Sequence, residues 1–479
     1  MPTKPSRSPG GGAPPRPLRH APLCYDGGDG TDGRPGRGRH RSADRSGPHR
    51  SADRSAGGRA LVFRTGDQTL VKAINRSIVL NLLRQQAPLS RADIARTTGL
   101  NKATVSALID ELLGEHLVEE VGVGTGRVGR RPRLLRLNRG AGFVLGGEIG
   151  VDFLNVTVLD LTGQVVWKVR EQADNRRRPV ETMARLAELM AEAAARQRDT
   201  PRGLLGIGIG VPGLVDQERG VLLYAPNLRW EDVAVGPYFA ERFGVPVQVE
   251  NEANAGAMAE AWCGVARGTR HAVYYSVGIG VGTGIIIQGE LVRGSGGMAG
   301  EIGHTTVDVT GPRCACGNRG CLEVYASEAA LRRFYQQLAG PQAADRGRHA
   351  RGEEAADGRP NGAAGTDDTP PSTHDIVEAA KGGDAAATAA LNRVATYLGV
   401  SVANAINTFN PDMVIIGGPL VEAGRFILEP IRQIATERAL PLMQRRTRIV
   451  LAECGPDACA IGAGVMALQD LFRVRVVTG

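Results

Sequence analysis

The chain has 479 residues and carries 58 Lys and Arg against 50 Asp and Glu, a formal net charge of +8. That length predicts two or three domains with sizeable cores, and no run of about 18 apolar residues exists, which excludes a transmembrane helix. The N-terminus lacks a signal-type apolar stretch and the seven cysteines show no disulfide-framework spacing, so a cytosolic protein with a thiol-based metal site is expected.

The charge is uneven. Residues 1–60 hold 12 basic and 5 acidic side chains, residues 61–140 hold 13 and 7, and the remainder hold 33 and 38. A basic front end on a mildly acidic body fits a nucleic-acid-binding module joined to a globular domain. Residues 1–66 are rich in Gly, Pro, Arg, Ser and Asp and repeat the run His40–Ser46 at His49–Ser55. Such a stretch cannot bury a core and is expected to be a disordered basic tail. Its low complexity, with no Met between Met1 and Met183, leads to the expectation that the chain as written begins upstream of the native start.

Structure is expected from about residue 67. Leu70, Ile74, Ile78, Leu82 and Leu83 recur at helical spacing, and Pro88 ends that helix. Ser90-Arg91-Ala92-Asp93 reads as a capping box opening a short second helix, with Ile94 and Ala95 inward. Thr98-Gly99-Leu100 is a turn, and Asn101 caps a third helix with Val105, Leu108, Ile109, Leu112 and Leu113 on one face. Lys102, Ala103, Thr104, Ser106 and Ala107 make a small, polar leading edge suited to a major groove. Two strand-like runs, Leu117–Val121 and Leu134–Leu137, flank a glycine-rich loop carrying Arg127, Arg130, Arg131 and Arg133. That is a β-hairpin wing whose arginines can meet phosphates or a minor groove. Residues 67–139 therefore read as a winged helix-turn-helix.

From Phe143 strands and helices alternate, as in an α/β body with a mixed sheet. A second α/β unit is seeded by Ala272–Val277 and Gly284–Ile287. The stretch at about 340–372 has no periodicity and is expected to be a disordered surface insertion. A helix over about Ala385–Asn407 precedes a buried strand, Met413–Ile416, and the turn Gly417-Gly418-Pro419.

The densest chemistry lies between Glu301 and Glu323. Glu301-Ile302-Gly303-His304 is followed by Cys314-Ala315-Cys316 and by Gly320-Cys321-Leu322-Glu323. His304, Cys314, Cys316 and Cys321 make a three-thiolate, one-imidazole shell that completes a tetrahedral Zn2+ site. A closed shell leaves no position for water, so the metal is structural. Glu301 and Glu323 remain as acceptors suited to sugar hydroxyls.

These residues, with Ser90–Leu113, Gly129–Pro132, Pro212-Gly213, Glu250–Asn254, Asn410–Asp412 and Gly417-Gly418, resemble the ROK family of repressors and sugar kinases. Within it the chain is similar to the repressors that carry an N-terminal winged helix-turn-helix. The resemblance covers about residues 68–470 and implies a two-lobed actin/hexokinase-like, ATPase-type fold over 140–479, with sugar and nucleotide in the cleft. It implies zinc on the His/Cys set and sugar contacts from Asn251, Glu252, Glu301, His304 and Glu323. His304 would serve twice, one ring nitrogen on the metal and the other on a hydroxyl.

The chain departs from the family's kinases at two places. Glu252 stands where they carry an aspartate base, and a base displaced by about 1 Å costs on the order of 100-fold in rate. Glu148-Ile149-Gly150-Val151-Asp152-Phe153 replaces their Asp-x-Gly-small-Thr phosphate loop and puts Asp152 where ATP would meet a hydroxyl. The second glycine loop, Gly278–Gly284, is intact, although such a run is also met in plain β-turns. The expected function is thus a sugar-responsive transcriptional regulator, a repressor of carbohydrate-utilisation genes, with Glu252 a vestigial base and no catalytic activity. Its partners would be double-stranded operator DNA and a monosaccharide effector, bound by a homodimer or dimer of dimers. Asn101, Lys102, Thr104, Val105 and Ser106 would approach bases or phosphates, with the wing arginines on the backbone. The alternatives are an ATP-dependent aldohexose kinase, and a regulator whose ligand is a phosphotransferase protein.

Overall fold

The computed structural model describes residues 68–123, 132–340 and 371–473. The basic tail, nearly all of the 340–372 insertion, and Arg127, Arg130 and Arg131 at the wing tip lie outside the described residues. No described helix is long and apolar enough to cross a membrane.

Helix α1 (Gln68–Gln86) buries Val79, Leu80, Leu82 and Leu83. The expected inward stripe is corrected here: Ile74 and Ile78 are 39% and 41% exposed, and so is Val71 at 48%. The first half of α1 is tied down by polar pairs, Lys72 to Glu111 and Arg76 to Glu115, while only the second half buries apolar side chains, and periodicity cannot tell which stretch of a helix has an apolar partner. Strand β1 (Leu89–Ser90) leads into α2 (Arg91–Thr98). Ser90 caps α2 reciprocally: the Asp93 N–H donates to Ser90 Oγ and the Ser90 N–H donates to Asp93 Oδ2. Gly99 ends α2 at φ 74°, a left-handed cap that glycine adopts without cost. Helix α3 (Lys102–Gly114) then starts on Asn101, whose Oδ1 accepts the Thr104 N–H at 2.8 Å.

Strands β2 (Val118–Val123) and β3 (Arg133–Leu137) pair antiparallel, and β1 adds to β3 to give the order β1-β3-β2. The third strand was invisible in sequence because two residues leave no period. Val105 is a second correction. It is fully buried in the core between the helices, so it cannot reach DNA. Lys102, Ala103 and Ala107 are the exposed residues of that leading edge, with Thr104 and Ser106 half-buried.

The body contains two sheets of one connectivity. In the first, β4 (Phe143–Ile149), β5 (Phe153–Asp160) and β6 (Val165–Gln172) form an antiparallel meander, which β7 (Leu204–Val211) and β11 (Val247–Asn251) extend in parallel. Helix α4 (Pro179–Ala195) lies between β6 and β7 in the chain, and a small sheet of β8 (Leu214–Asp216), β9 (Val221–Ala225) and β10 (Trp230–Val233) precedes α5 (Val235–Phe243). Helix α6 (Glu252–Trp262) leaves the end of β11.

The second sheet repeats the plan. Strands β12 (Ala272–Val277), β13 (Val281–Ile287) and β14 (Glu290–Leu291) form the meander, and β15 (Met413–Gly417) and β16 (Arg448–Leu451) continue it in parallel. Helices α7 (Glu323–Ala326), α8 (Glu328–Ala339), α9 (Thr373–Lys381), α10 (Ala385–Phe409), α11 (Arg425–Arg438) and α12 (Pro441–Gln444) belong to this second lobe. The last helix, α13 (Ala458–Phe472), returns to the first lobe against β4, β7 and α6. It packs so closely that a Cβ at Gly208 would fall 1.8 Å from the Ala463 carbonyl oxygen. Strand β4, covered on both faces, is buried along its whole length.

One hydrophobic core joins the winged-helix elements to the body. Val79, Leu83, Ile94, Val105, Ile109 and Leu135 share it with Val144, Leu159, Trp262, Val465, Leu468 and Phe472. Polar ties reinforce it. Arg76 makes a bidentate pair with Glu115 at 2.6 Å to each oxygen, and Arg202 of the body reaches the same carboxylate at 3.0 Å. The N-terminal module is therefore docked rather than tethered.

Candidate functional site

His304 closes a one-turn helix at Ile302–His304, and the cysteines follow on a tight knuckle. The ligating atoms of His304, Cys314, Cys316 and Cys321 all lie within 4.8 Å of one another. Cys314 Sγ is 3.7 Å from His304 Nδ1, and Cys316 Sγ is 3.7 Å from Cys321 Sγ. A tetrahedron built on metal–sulfur bonds of about 2.3 Å has edges of about 3.8 Å, so the four side chains fit a single tetrahedral ion. The knuckle forms because Gly317, at φ 93°, lets its N–H return to the Cys314 carbonyl at 3.0 Å while the Cys314 N–H reaches the Asn318 carbonyl at 2.8 Å.

The cluster fixes the imidazole. With Nδ1 against Cys314, Nε2 is left facing Glu301, 4.0 Å from Oε2. Asn251 caps α6: its Oδ1 accepts the Ala253 and Asn254 N–H groups, and its Nδ2 donates to Gly213 O and to Glu252 Oε2, both at 3.1 Å. Glu252 is the first residue of α6. Its carboxyl is pushed up to about 8, chiefly by burial, with the charges of Glu301, Glu148 and Glu323 adding to the shift. Burial raises Glu301 as well. Glu323 starts α7 and is oriented by the Val281 N–H, which donates to Oε2 at 3.2 Å. A side chain at Gly280 would strike that oxygen at 2.6 Å and also meet Asn227 Nδ2. Asn251 and Glu252, where β11 passes into α6, thus lie near Glu301, His304 and Glu323 of the second lobe.

Three residues there escaped sequence reasoning. Glu250, 1% exposed, accepts from Gln217 Nε2, Asn254 Nδ2 and its neighbour's N–H, and pairs with Arg293 Nε at 2.9 Å. Since Glu250 lies near the end of β11 in the first sheet and Arg293 follows β14 of the second, the pair links the lobes. Glu328 lies by the second glycine turn, its N–H donating to Gly278 O at 2.8 Å, and burial raises its carboxyl, with the Asp152 charge adding a smaller push. Asn227 is the third. A single Glu in a motif, or a lone Asn in a turn, carries no periodic signal.

The first glycine turn is filled by the chain itself. The Phe153 ring lies against Gly150, and the Arg170 guanidinium stacks on that ring with its carbon 3.4 Å from the centroid. Arg170 also donates to Pro456 O at 3.1 Å, Lys168 pairs with Asp457 at 2.5 Å, and Asn155 Nδ2 bridges Asp457 to the buried Glu148. Burial lifts Glu148 to about 7. In the second glycine loop, Gly282 and Gly284 let β13 approach Ala253 and Ala257 of α6, a packing role independent of any nucleotide.

On the N-terminal module, Asn101 spends its side-chain oxygen on the cap and Lys102 points to solvent. Ser106 offers its carbonyl to Arg91, and Arg133 is paired with Glu120 across the wing strands.

Two sheets of matched connectivity, a carboxylate cluster beside a His/Cys3 knuckle, and a module of three helices and a three-stranded sheet packed on the first lobe make up this frame. The family model described as "ROK family" matches residues 144–470, and the chain belongs to that family. A xylose repressor from Caldicellulosiruptor bescii is 36% identical over 407 residues, covering 85% of this chain and 98% of that protein. The crystal structure of a ROK family transcriptional regulator described as a homologue of the E. coli MLC protein superposes with a TM-score of 0.69 at 29% identity, over 84% of this chain and 97% of that one. A ROK family glucokinase from Streptomyces griseus, solved with glucose and AMPPNP, gives a TM-score of 0.58 at 29% identity, over 68% of this chain and all of its own.

Proposed function

We propose that this chain is a xylose-responsive transcriptional repressor. In this reading the winged module holds double-stranded operator DNA through Lys102, Thr104 and Ser106, with Asn101 setting the helix start and Arg127, Arg130, Arg131 and Arg133 on the backbone. A monosaccharide binds among Asn251, Glu252, Glu301, His304 and Glu323. A zinc ion on His304, Cys314, Cys316 and Cys321 supplies rigidity, not reactivity. The observation that carries the reading is the course of α6. Its first residue is Glu252 in the cleft, and its last, Trp262, lies under Arg84 of α1 at 4.0 Å and beside Phe472. Ser77 and Asn81 of α1 donate to the Phe472 carbonyl. Cleft closure that moves α6 therefore reaches the DNA module directly. To regulate, sugar must bind the DNA-competent and incompetent arrangements unequally. As a homodimer, or a dimer of dimers, the protein would read a pseudo-palindrome with half-sites spaced by helical turns.

The kinase reading is disfavoured by the same geometry. In this reading the Phe153 ring against Gly150, with Arg170 stacked on it, and the Asp152 carboxylate in the same turn would oppose a nucleotide phosphate. The test is a gel shift on DNA upstream of the protein's own gene, repeated over a panel of monosaccharides. D-xylose should change operator affinity at least about fivefold, the lower end of ordinary coupling. A protein that binds no such DNA, or one that turns over ATP with an aldose, defeats the proposal.

A further inference from the structure

Two thiols outside the metal knuckle are held together by the fold. Cys263 ends α6 and Cys454 precedes α13, 191 residues apart in sequence, with their sulfurs 3.8 Å apart. Cys263 is exposed and Cys454 is half-buried. The positions are well fixed. The Cys263 N–H bonds to the Ala259 carbonyl at 2.9 Å, and the Cys454 N–H bonds to Glu260 Oε1 at 2.8 Å. Glu260 is fully buried and also receives the N–H groups of Glu453 and Val265, so one carboxylate sets both loops that bear the thiols. Gly264 leaves the room they share, since a Cβ there would fall 2.9 Å from Cys454 Sγ and 2.1 Å from Glu260 Oε2. The third described cysteine outside the knuckle, Cys459, is buried away from solvent.

We propose that Cys263 and Cys454 form a reversible intramolecular disulfide under peroxide, clamping the end of α6 to the start of α13. The exposed Cys263 thiolate attacks the peroxide O–O bond, becoming a sulfenic acid and releasing water once the leaving hydroxide takes a proton. The Cys454 sulfur then displaces hydroxide from that sulfur, and a second water leaves with the Cys454 proton. In sum, two thiols and one hydrogen peroxide give one disulfide and two waters. The sulfurs must close from 3.8 Å to about 2.0 Å, a shift of the size side-chain rotation provides. The hydrogen bond from Cys454 holds the Cys263 thiol below its ordinary range, which favours the exposed sulfur as the attacker. The clamp matters because α6 and α13 both run to the DNA module, one through Trp262 and the other through Phe472. That consequence rests on the repressor reading; the disulfide itself does not.

The test uses the full chain treated with a stoichiometric amount of hydrogen peroxide, then mapped by mass spectrometry without reduction while a metallochromic dye reports released metal. The expected product is a Cys263–Cys454 linked peptide with no metal released, reversed by dithiothreitol. In Cys454→Ser the link is lost and dimedone labels Cys263. Linkage or metal release from the Cys314, Cys316 and Cys321 set, or Cys263 running on to sulfinic acid with Cys454 free, overturns the site. The gel shift gives the second readout. Linked protein should lose its affinity change with xylose and recover it on reduction, and an unaltered response in linked protein overturns the clamp. A protein that links as expected yet binds no operator in either state upholds the disulfide and removes the repressor reading instead.

Discussion

His304 shows how one side chain serves two structures. Its Nδ1 closes the sulfur cluster at 3.7 Å from Cys314, and that commitment aims Nε2 into the carboxylate pocket. Replacing Cys316 with Ser should abolish stoichiometric metal in the purified protein, read by atomic emission, and weaken xylose binding at least about tenfold, read by calorimetry, because the imidazole loses its fixed tautomer. Glu252 gives a pH signature. Its folded value of about 8 lies above the ordinary 4.5, so between those values the unfolded chain releases a proton that the folded chain keeps. Stability therefore falls as pH rises through that window and levels off above it. Glu148, lifted to about 7, adds to the same fall. Glu252→Gln should flatten the slope, gaining on the order of 1–2 kcal/mol over the parent at pH 8 relative to pH 5 in denaturant melts, after allowing for solvent at the pocket mouth.

At the scale of elements, α3 divides cleanly into two roles. Val105, Leu108, Ile109 and Leu112 face the core, while Lys102, Ala103 and Ala107 face solvent. Val105→Ala should destabilise the protein by about 1–3 kcal/mol, since it removes two methyl groups from a fully buried site. Lys102→Ala should leave stability unchanged and lower the salt slope of operator binding by about 1, as expected for a lost phosphate contact. Capping residues at Ser90 and Asn101 were legible because their chemistry acts within four residues of chain. The exposure of Ile74 and Ile78 on α1 and the two-residue strand β1 were not, because partners distant in sequence decide them.

For the whole molecule, the Glu250–Arg293 pair is one described tie between the lobes that sets a buried carboxylate against its cation. Arg293→Ala leaves a carboxylate 1% exposed without its cation, so a loss of about 3 kcal/mol is expected in chemical melts, with altered xylose affinity as the lobes loosen. Helix α6 runs from Glu252, next to the Glu250–Arg293 link, to Trp262 against Arg84 of the N-terminal module, so in the repressor reading its ends are the natural sites at which to separate sugar binding from its transmission. Trp262→Ala should keep sugar affinity while reducing the operator response, measured by calorimetry and gel shift on one preparation.

The sequence by itself determined the alternation of strands and helices, the caps, and the His304–Glu323 spacing, because each is written in residues a few positions apart. The cluster of His304, Cys314, Cys316 and Cys321 needs only a short loop to assemble, so its members could be read directly. The tertiary structure alone decided which stretch of α1 is covered, that one core unites the module with the body, and that Glu250 meets Arg293 and Cys263 meets Cys454. Those pairings join residues 43 and 191 positions apart. No local propensity encodes them; they follow from burying two sheets and their helices against one another, which fixes distant side chains only once the whole chain has packed.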